Sequence, residues 1–197
     1  MKLILFDFDG VLVDTLGVAF SINKGAKPDL SLEEYKSFFE GNIYDAIASG
    51  KKKHIPDFDD QFRLQTRELK IPDELKKMLR DISPKNTLAI VSSASTDLIQ
   101  EILEREDVAN FFADVFGSDV HSSKIVKTKT LLNKYKVEVK DAVFITDTVG
   151  DIIEARECGV KAIAVTWGFH DEATLAKAQP VKIVNTPEDL IKAIKEI

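Results

Sequence analysis

Cysteine is almost absent from this sequence, because Cys158 is the only one among 197 residues. A single cysteine excludes an internal disulfide framework and is typical of proteins in a reducing compartment. No apolar run approaches the roughly 20 residues that a membrane-spanning helix needs. The first apolar segment meets an acid at Asp7, which does not fit a signal peptide. These absences predict a cytoplasmic protein that has no membrane partner and is stabilised by a packed core.

An excess of positive charge is also missing. The chain has 27 Lys and Arg against 33 Asp and Glu, which gives a formal net charge of −6. Proteins that bind nucleic acids usually present a basic face, so no nucleic-acid partner is expected. A hydrophobic fraction of 44% with 30% charged residues is typical of a folded globular protein. The length fits one domain, or one domain that carries a modest insertion.

Five short apolar segments alternate with helix-like segments. The apolar segments are 2–8, 87–92, 113–116, 142–146 and 161–166. Each is continuous rather than alternating, which is typical of parallel strands buried on both faces. Parallel strands need crossover helices, so the pattern predicts an α/β protein with a doubly wound parallel sheet. Ligands bind such sheets at the carboxyl ends of the strands.

The alternation breaks between the first and second predicted strands. Residues 15–85 contain no good strand, but Ser31 and Glu34 form a capping-box pattern and later segments are amphipathic. We therefore predict an inserted helical subdomain at 15–85 and a core made of 1–14 and 86–197. The lysine run at 51–53 is interpreted as a solvated helix end. The alternative interpretation is that these lysines face an anionic substrate.

Two acids, Asp7 and Asp9, follow the first predicted strand in the sequence Asp-Phe-Asp-Gly-Val. A solvated turn with incidental charge is the simpler interpretation. The chemical interpretation makes Asp7 a nucleophile toward phosphorus, which forms an acyl phosphate. Asp9 would then protonate the leaving alcohol and later accept a proton from water. Gly10 permits a tight turn, and N–H groups beside Asp7 could hold phosphate oxygens.

Three further candidates follow later strands. Ser92 could donate its hydroxyl to a phosphate oxygen, although a serine after a strand is often only a turn or cap residue. A lysine at the start of the next helix could neutralise phosphate, and Lys124 is preferred to Lys127. A cation at a helix N-terminus opposes the dipole, so a compensating anion is expected beside it.

The fourth predicted strand ends in a second pair of acids, Asp147 and Asp151. Asp147 and Asp7 together offer the hard oxygen ligands that Mg²⁺ takes alongside water and a substrate phosphate. Asp151 could bind the metal through a water, orient the lysine, or only favour the N-terminus of its helix.

In their order and placement, these residues resemble the motifs of the haloacid dehalogenase-like superfamily, and the resemblance covers essentially the whole chain. The matching residues, in motif order, are Asp7 with Asp9, then Ser92, then Lys124, then Asp147 with Asp151. The resemblance implies a Rossmann-like core with a helical cap. It also implies a Mg²⁺ site formed by the carboxylates of Asp7 and Asp147, the carbonyl of Asp9, and Asp151. The predicted substrate-binding residues are Phe8, Gly10, Ser92, Ser93 and Lys124.

The activity that the resemblance implies is Mg²⁺-dependent hydrolysis of a small phosphorylated metabolite, with phosphoglycolate as the first candidate, by a monomer or homodimer. A sugar phosphomutase of the β-phosphoglucomutase type is the alternative enzyme, and a phospho-accepting signalling domain is the alternative outside enzymes. Two positions depart from the motifs: Thr146 stands where Gly is usual, and Ile125 stands where Pro often follows the lysine. His54, His121 and His170 are expected at the surface.

Overall fold

A computed structural model describes residues 1–197, in which six parallel strands form one sheet. The strands are β1 (Leu3–Phe6), β2 (Thr87–Val91), β3 (Phe112–Phe116), β4 (Ala142–Thr146), β5 (Lys161–Val165) and β6 (Lys182–Val184). Their order across the sheet is β3-β2-β1-β4-β5-β6. The five predicted strands are confirmed. The sixth, β6, was missed because it is a short edge strand with one buried residue.

Ten helices accompany the sheet. They are α1 (Leu16–Ala26), α2 (Leu32–Ser37), α3 (Ile43–Ala48), α4 (Phe58–Gln65), α5 (Asp73–Ile82), α6 (Thr96–Arg105), α7 (Lys124–Tyr135), α8 (Val149–Glu157), α9 (Glu172–Lys177) and α10 (Pro187–Glu196). Ser31 caps α2 as predicted, because the N–H of Glu34 donates to its Oγ at 3.1 Å, but the carboxylate of Glu34 pairs with Lys27 and does not complete the capping box. None of these helices has both the length and the apolar character needed to cross a membrane.

Side chains of β1 alternate between two hydrophobic clusters, which shows that helices cover both faces of the sheet. Ile4 and Phe6 join one cluster with residues of α5, α6 and α10. Leu3 and Leu5 join the other with residues of α7, α8 and α9. The doubly wound Rossmann-like sheet is therefore confirmed.

Helices α1, α2, α3 and α4 of the inserted segment contribute apolar residues to a third, small cluster, which also contains Leu98 of α6 and Phe169. Helix α5 does not belong to it. Leu75, Met78, Leu79 and Ile82 pack in the cluster that contains β1 and α10. The cap was expected to extend to residue 85, but the apolar face of α5 is buried against the sheet. We propose that the helical cap ends near Leu69 and that α5 is part of the sheet domain.

Strand β1 lies at the centre of the sheet, between β2 and β4. Its register pairs Phe6 with Ile90 of β2 and with Ile145 of β4. All strands run in the same direction, so the segments that follow β1, β2 and β4 emerge side by side. Neighbouring strands are about 4.8 Å apart, so the polar residues just beyond these ends fall within reach of one another.

Candidate active site

Asp7 is the first residue after β1, and its position is fixed by the backbone of the neighbouring strand. Its N–H donates to the carbonyl of Ile145 at 2.9 Å, and its Oδ1 accepts the N–H of Phe8 at 2.7 Å. The side chain is buried. Burial raises the pKa of Asp7 well above its usual value, and the ammonium of Lys124 acts in the opposite direction.

Lys124, the first residue of α7, bridges two of the four acids. Its Nζ lies 2.8 Å from Oδ2 of Asp7 and 2.7 Å from Oδ2 of Asp151. Burial alone would lower the pKa of Lys124, but Asp151 and Asp7 raise it above its usual value. The anion expected beside a cation at a helix N-terminus is therefore present, supplied by two carboxylates.

Lys127, the alternative lysine, points elsewhere. Its Nζ donates to the carbonyl oxygens of Ser92 and Gly117, the second at 3.2 Å. Burial and the charge of Lys124 lower the pKa of Lys127 to about 8. Its contacts connect the ends of β2 and β3, whereas Lys124 faces the acids, so the geometry favours Lys124 for phosphate binding.

Asp151 is held in the ionised form by its partners. Its Oδ2 accepts hydrogen bonds from Lys124 and from the hydroxyl of Thr146, the second at 2.8 Å. Burial would raise the pKa of Asp151, but Lys124 and these hydrogen bonds keep it below its usual value. Thr146, the departure from the usual glycine, thus supplies a hydroxyl that orients Asp151.

Asp147 is fully buried between two glycines. A Cβ atom added at Gly10 or at Gly168 would overlap Oδ2 of Asp147, so both positions require glycine for steric reasons. Gly10 also has φ +74°, which a glycine adopts without strain. Oδ2 of Asp147 accepts the N–H of Phe169 at 2.6 Å, and burial raises the pKa of Asp147 to about 7.

Asp9 and Ser92 also lie at this edge of the sheet. Burial raises the pKa of Asp9, while the side chains of Thr15 and Ser92 act to lower it. Oγ of Ser92 accepts the N–H of Ala94 at 3.1 Å, which leaves the hydroxyl proton of Ser92 available for donation. A buried carboxyl group with a raised pKa is suited to carry a proton at neutral pH.

The predicted backbone contacts with phosphate are not supported at two positions. The N–H of Phe8 donates to Asp7, and the N–H of Gly10 donates to the carbonyl of Val13 at 2.8 Å. The side chain of Phe8 is fully buried in the hydrophobic core. Neither residue therefore presents a free donor to a substrate. Ser93 does face the open space beside the acids, and its carbonyl accepts the hydroxyl of Tyr44 at 3.1 Å.

Two adjoining cavities open beside these residues. The smaller has a volume of about 50 Å³, and Asp7, Asp9, Lys124 and Asp151 line it. The larger has a volume of about 390 Å³ and lies between α1–α4 of the cap and the sheet domain. The residues that line both cavities are Asp9, Phe39, Ile43, Ser93 and Phe169. A substrate could thus place one group against the acids and the rest of its body in the larger cavity.

Contacts between the cap and the sheet domain surround the site. The N–H of Gly150 donates to the carbonyl of Phe39 at 2.9 Å, and Nδ2 of Asn42 donates to Oε1 of Glu154 at 3.0 Å. His170 was expected at the surface, but it is 3% exposed. Its Nδ1 accepts the N–H of Val149 and its Nε2 lies 2.9 Å from the carbonyl of Lys36. Sequence reasoning missed His170 because an isolated histidine gives no periodic signal.

The acids offer oxygen ligands for a cation. Oδ1 of Asp147 and Oδ1 of Asp9 are buried without a hydrogen-bond partner. Burial raises the pKa of three of the four acids, so a cation bound beside them would favour their ionised forms. No group of three or more acidic, His or Cys side chains is arranged as a complete metal site. Mg²⁺ needs only one or two carboxylates with waters and substrate phosphate, so the donor set fits this ion.

Comparison with known proteins agrees with this geometry. The family model for haloacid dehalogenase-like hydrolases matches residues 4–165. The chain therefore belongs to the haloacid dehalogenase-like hydrolase family.

Among its relatives, the phosphoglycolate phosphatase of Synechococcus elongatus is 26% identical, and the alignment covers 100% of this chain and 99% of the relative. The phosphoglycolate phosphatase of Aquifex aeolicus is 28% identical over 98% of this chain and 96% of the relative. A hydrolase from Pseudomonas syringae has the same fold, with a TM-score of 0.83 at 16% identity, covering 100% of this chain and 99% of that one.

Proposed function

We propose that this chain, a phosphatase of the haloacid dehalogenase-like family, hydrolyses a small phosphate monoester through an aspartyl-phosphate on Asp7, with Mg²⁺ as cofactor. The observation that carries the proposal is the pairing of Asp7 with Lys124 at 2.8 Å, next to Asp9 in the smaller cavity. A nucleophile, a cation and a proton carrier at one point are what phosphoryl transfer to a carboxylate requires.

In the first step, a carboxylate oxygen of Asp7 attacks phosphorus, and the bond from phosphorus to the leaving oxygen breaks. Asp9 gives its proton to that oxygen, so the product leaves as a neutral alcohol. Burial raises the pKa of Asp9, which favours the protonated form that this step needs. Lys124 and the hydroxyl of Ser92 stabilise the negative oxygens of the phosphoryl group.

In the second step, water attacks phosphorus, and the bond from phosphorus to Asp7 breaks. Asp9, now a carboxylate, accepts the proton of that water. Inorganic phosphate leaves, and both acids return to their initial protonation states. The contacts of Phe39 and Asn42 with α8 close the cap over the smaller cavity and limit access of bulk water.

The metal would be held by the carboxylates of Asp7 and Asp147 and by the carbonyl of Asp9, with Asp151 keeping Lys124 in place. When bound, Mg²⁺ supplies positive charge that offsets repulsion between the phosphate oxygens and the carboxylates. The unpartnered Oδ1 of Asp147 supports this assignment. Phosphoglycolate is the first substrate to test, because relatives that cover almost the whole chain carry the name phosphoglycolate phosphatase.

The decisive experiment measures release of inorganic phosphate from a panel of phosphate esters, with and without Mg²⁺. Asp7→Asn should abolish release, whereas Asp81→Asn, an exposed acid on α5, should not change it. Equal release by the wild type and Asp7→Asn would overturn the assignment of the nucleophile.

A second measurement tests the intermediate. Para-nitrophenyl phosphate has a good leaving group, so its first step needs little help from Asp9. We expect Asp9→Asn to accumulate one phosphoryl group on Asp7 with this substrate, because the base for the second step is lost. Mass spectrometry of the acid-quenched protein would detect it. A hexose 1-phosphate in the same panel separates hydrolysis from the mutase alternative, since a mutase yields an isomer rather than inorganic phosphate.

A further inference from the structure

The larger cavity is lined by a lysine that the mechanism does not use. Lys52, in the middle of the lysine run, is 9% exposed, whereas Lys51 and Lys53 are exposed. Its backbone N–H donates to the carbonyl of Ala46 at 2.9 Å, which fixes the segment after α3. The side chain lines the cavity that also reaches Asp9.

No anionic partner in the protein accompanies this ammonium. Nζ of Lys52 forms neither an ion pair nor a hydrogen bond with the protein, and it lies over the ring of Phe58, 5.6 Å from the centroid. Burial lowers the pKa of Lys52, and no carboxylate acts to raise it. Asp59 and His54 line the same cavity, but neither pairs with Lys52. The ammonium of Lys52 therefore has no counter-ion in the protein, and it can pair with an anionic group that enters the cavity.

The rest of the cavity wall is mostly apolar and aromatic. Its aromatic residues are Tyr35, Phe39, Tyr44, Phe58, Phe62 and Phe169. A volume of about 390 Å³ has room for about a dozen water-sized groups at about 30 Å³ each. A glycolate leaving group would fill about a third of that space. The cavity therefore suits a leaving group with a larger apolar body.

We propose that Lys52 is a specificity-determining residue that binds a carboxylate on the leaving group of the substrate. The substrate class is a phosphate monoester of an alcohol that joins a flat apolar body to a carboxylate. Phosphoglycolate has the carboxylate but not the body. This inference rests on the proposed phosphatase function, because Asp9, which lines the cavity, defines where the leaving oxygen lies. Lys52 is the only Lys or Arg side chain that lines the cavity, so it defines where a second anion binds.

The test compares para-carboxybenzyl phosphate with para-carbamoylbenzyl phosphate, which have the same shape and similar leaving groups but differ in charge. Wild-type kcat/KM should be about 10- to 100-fold higher for the carboxylate, the range expected for a hydrogen bond to a charged group. Lys52→Met should remove this preference and leave the carbamoyl ester within about threefold of its wild-type value. Lys51→Met, the exposed neighbour, should keep the wild-type preference.

Two outcomes would overturn the role of Lys52: a wild type that does not distinguish the two esters, or a Lys52→Met variant that slows both equally. Folding of the variant is checked by its Tm, which should stay close to that of the wild type, because Nζ of Lys52 forms no ion pair or hydrogen bond in the protein.

A binding measurement separates this inference from the proposed function. Calorimetry with para-(hydroxymethyl)benzoate, the product alcohol, reports on the cavity without turnover. Binding that Lys52→Met abolishes, in a protein that hydrolyses no phosphate ester, would support Lys52 as an anion-binding residue and refute the phosphatase mechanism. If instead the protein hydrolyses the esters but Lys52→Met does not change its affinity for this alcohol, the role of Lys52 is refuted and the phosphatase mechanism stands.

Discussion

The ammonium of Lys124 lies 2.8 Å from Oδ2 of Asp7, the proposed nucleophile. Asp151 holds the same ammonium from the other side at 2.7 Å. The lysine therefore contacts two acids with different proposed roles. Asp7 reacts with phosphorus, and Asp151 positions the lysine. Removing the lysine leaves both carboxylates buried without their shared cation, which connects folding stability with catalysis.

Lys124→Met should lower kcat by about 100- to 1000-fold, because the cation that stabilises the phosphoryl oxygens is lost. It should also reduce the free energy of unfolding by about 3–5 kcal/mol, the usual cost of breaking a buried ion pair from one side. Adding Asp151→Asn should recover part of the stability but none of the activity. Chemical denaturation and steady-state kinetics measure both, with Lys129→Met on the exposed side of α7 as the control. Full activity in Lys124→Met would contradict the assignment.

Mg²⁺ should raise the Tm of the wild type by about 5–10 °C at a concentration 100 times its Kd, since such binding adds about 2.7 kcal/mol. Asp147→Asn should abolish this shift. Without Mg²⁺, the variant should melt above the wild type at pH 8, because burial raises the pKa of Asp147 to about 7 and its ionised form is then destabilising. Scanning calorimetry gives both results, and Asp81→Asn should behave as the wild type. An unchanged Mg²⁺ shift in Asp147→Asn would remove Asp147 from the metal site.

Gly168→Ala should displace the carboxylate of Asp147, because a Cβ there would overlap Oδ2 of that residue. We expect Mg²⁺ affinity to fall by at least about 10-fold, as it does when a residue that orients a metal ligand is replaced. The value of kcat/KM should fall as well. The matched change Gly25→Ala is in α1, where a Cβ meets nothing within 4 Å. It should stabilise the protein by about 0.5–1 kcal/mol and leave Mg²⁺ binding unchanged. Titration of Mg²⁺ by calorimetry compares them, and equal affinities would argue against the steric role of Gly168.

Lys127 should make the protein more stable as pH rises from about 8 to about 10.5. Burial lowers the folded-state pKa of Lys127 to about 8 from the ordinary lysine value of 10.5. Between these pH values the unfolded chain binds more protons than the folded one, so the free energy of unfolding increases with pH. The gain is about 3 kcal/mol, at 1.36 kcal/mol for each pKa unit.

The check is urea denaturation at several pH values. Lys127→Met should be less stable at pH 8, because the carbonyls of Ser92 and Gly117 lose their donor, and its stability should not rise through this window. A Lys127→Met variant with the same alkaline gain as the wild type would assign that gain to other groups.

Much of the fold could be predicted because its signals are local. Continuous apolar segments identified β1 to β5, and the serine and glutamate of the capping box marked α2. Strand β6 was too short to give such a signal. The side on which α5 packs could not be read from its amphipathic pattern, because that pattern shows that one face is buried but not what covers it.

The candidate site divides in the same way. Asp7, Asp147 and Lys124 could be placed from the sequence, because each directly follows a strand or begins a helix. Roles that depend on neighbours from distant segments could not. Thr146 looked only like a departure from a motif, and its hydroxyl proves to orient Asp151. Phe8 and Gly10 were expected to bind phosphate, but their N–H groups donate within the protein.

The sequence by itself determined the parallel α/β architecture and the identities of the acids at the strand ends, because both follow from residue type and spacing along the chain. Tertiary structure alone decided which charges meet. It placed Lys124 between Asp7 and Asp151, directed Lys127 toward two carbonyls, and turned only Lys52 of three adjacent lysines inward. Lysines of identical chemistry acquire different duties because burial and the distance to the nearest carboxylate are set by packing between segments remote in sequence.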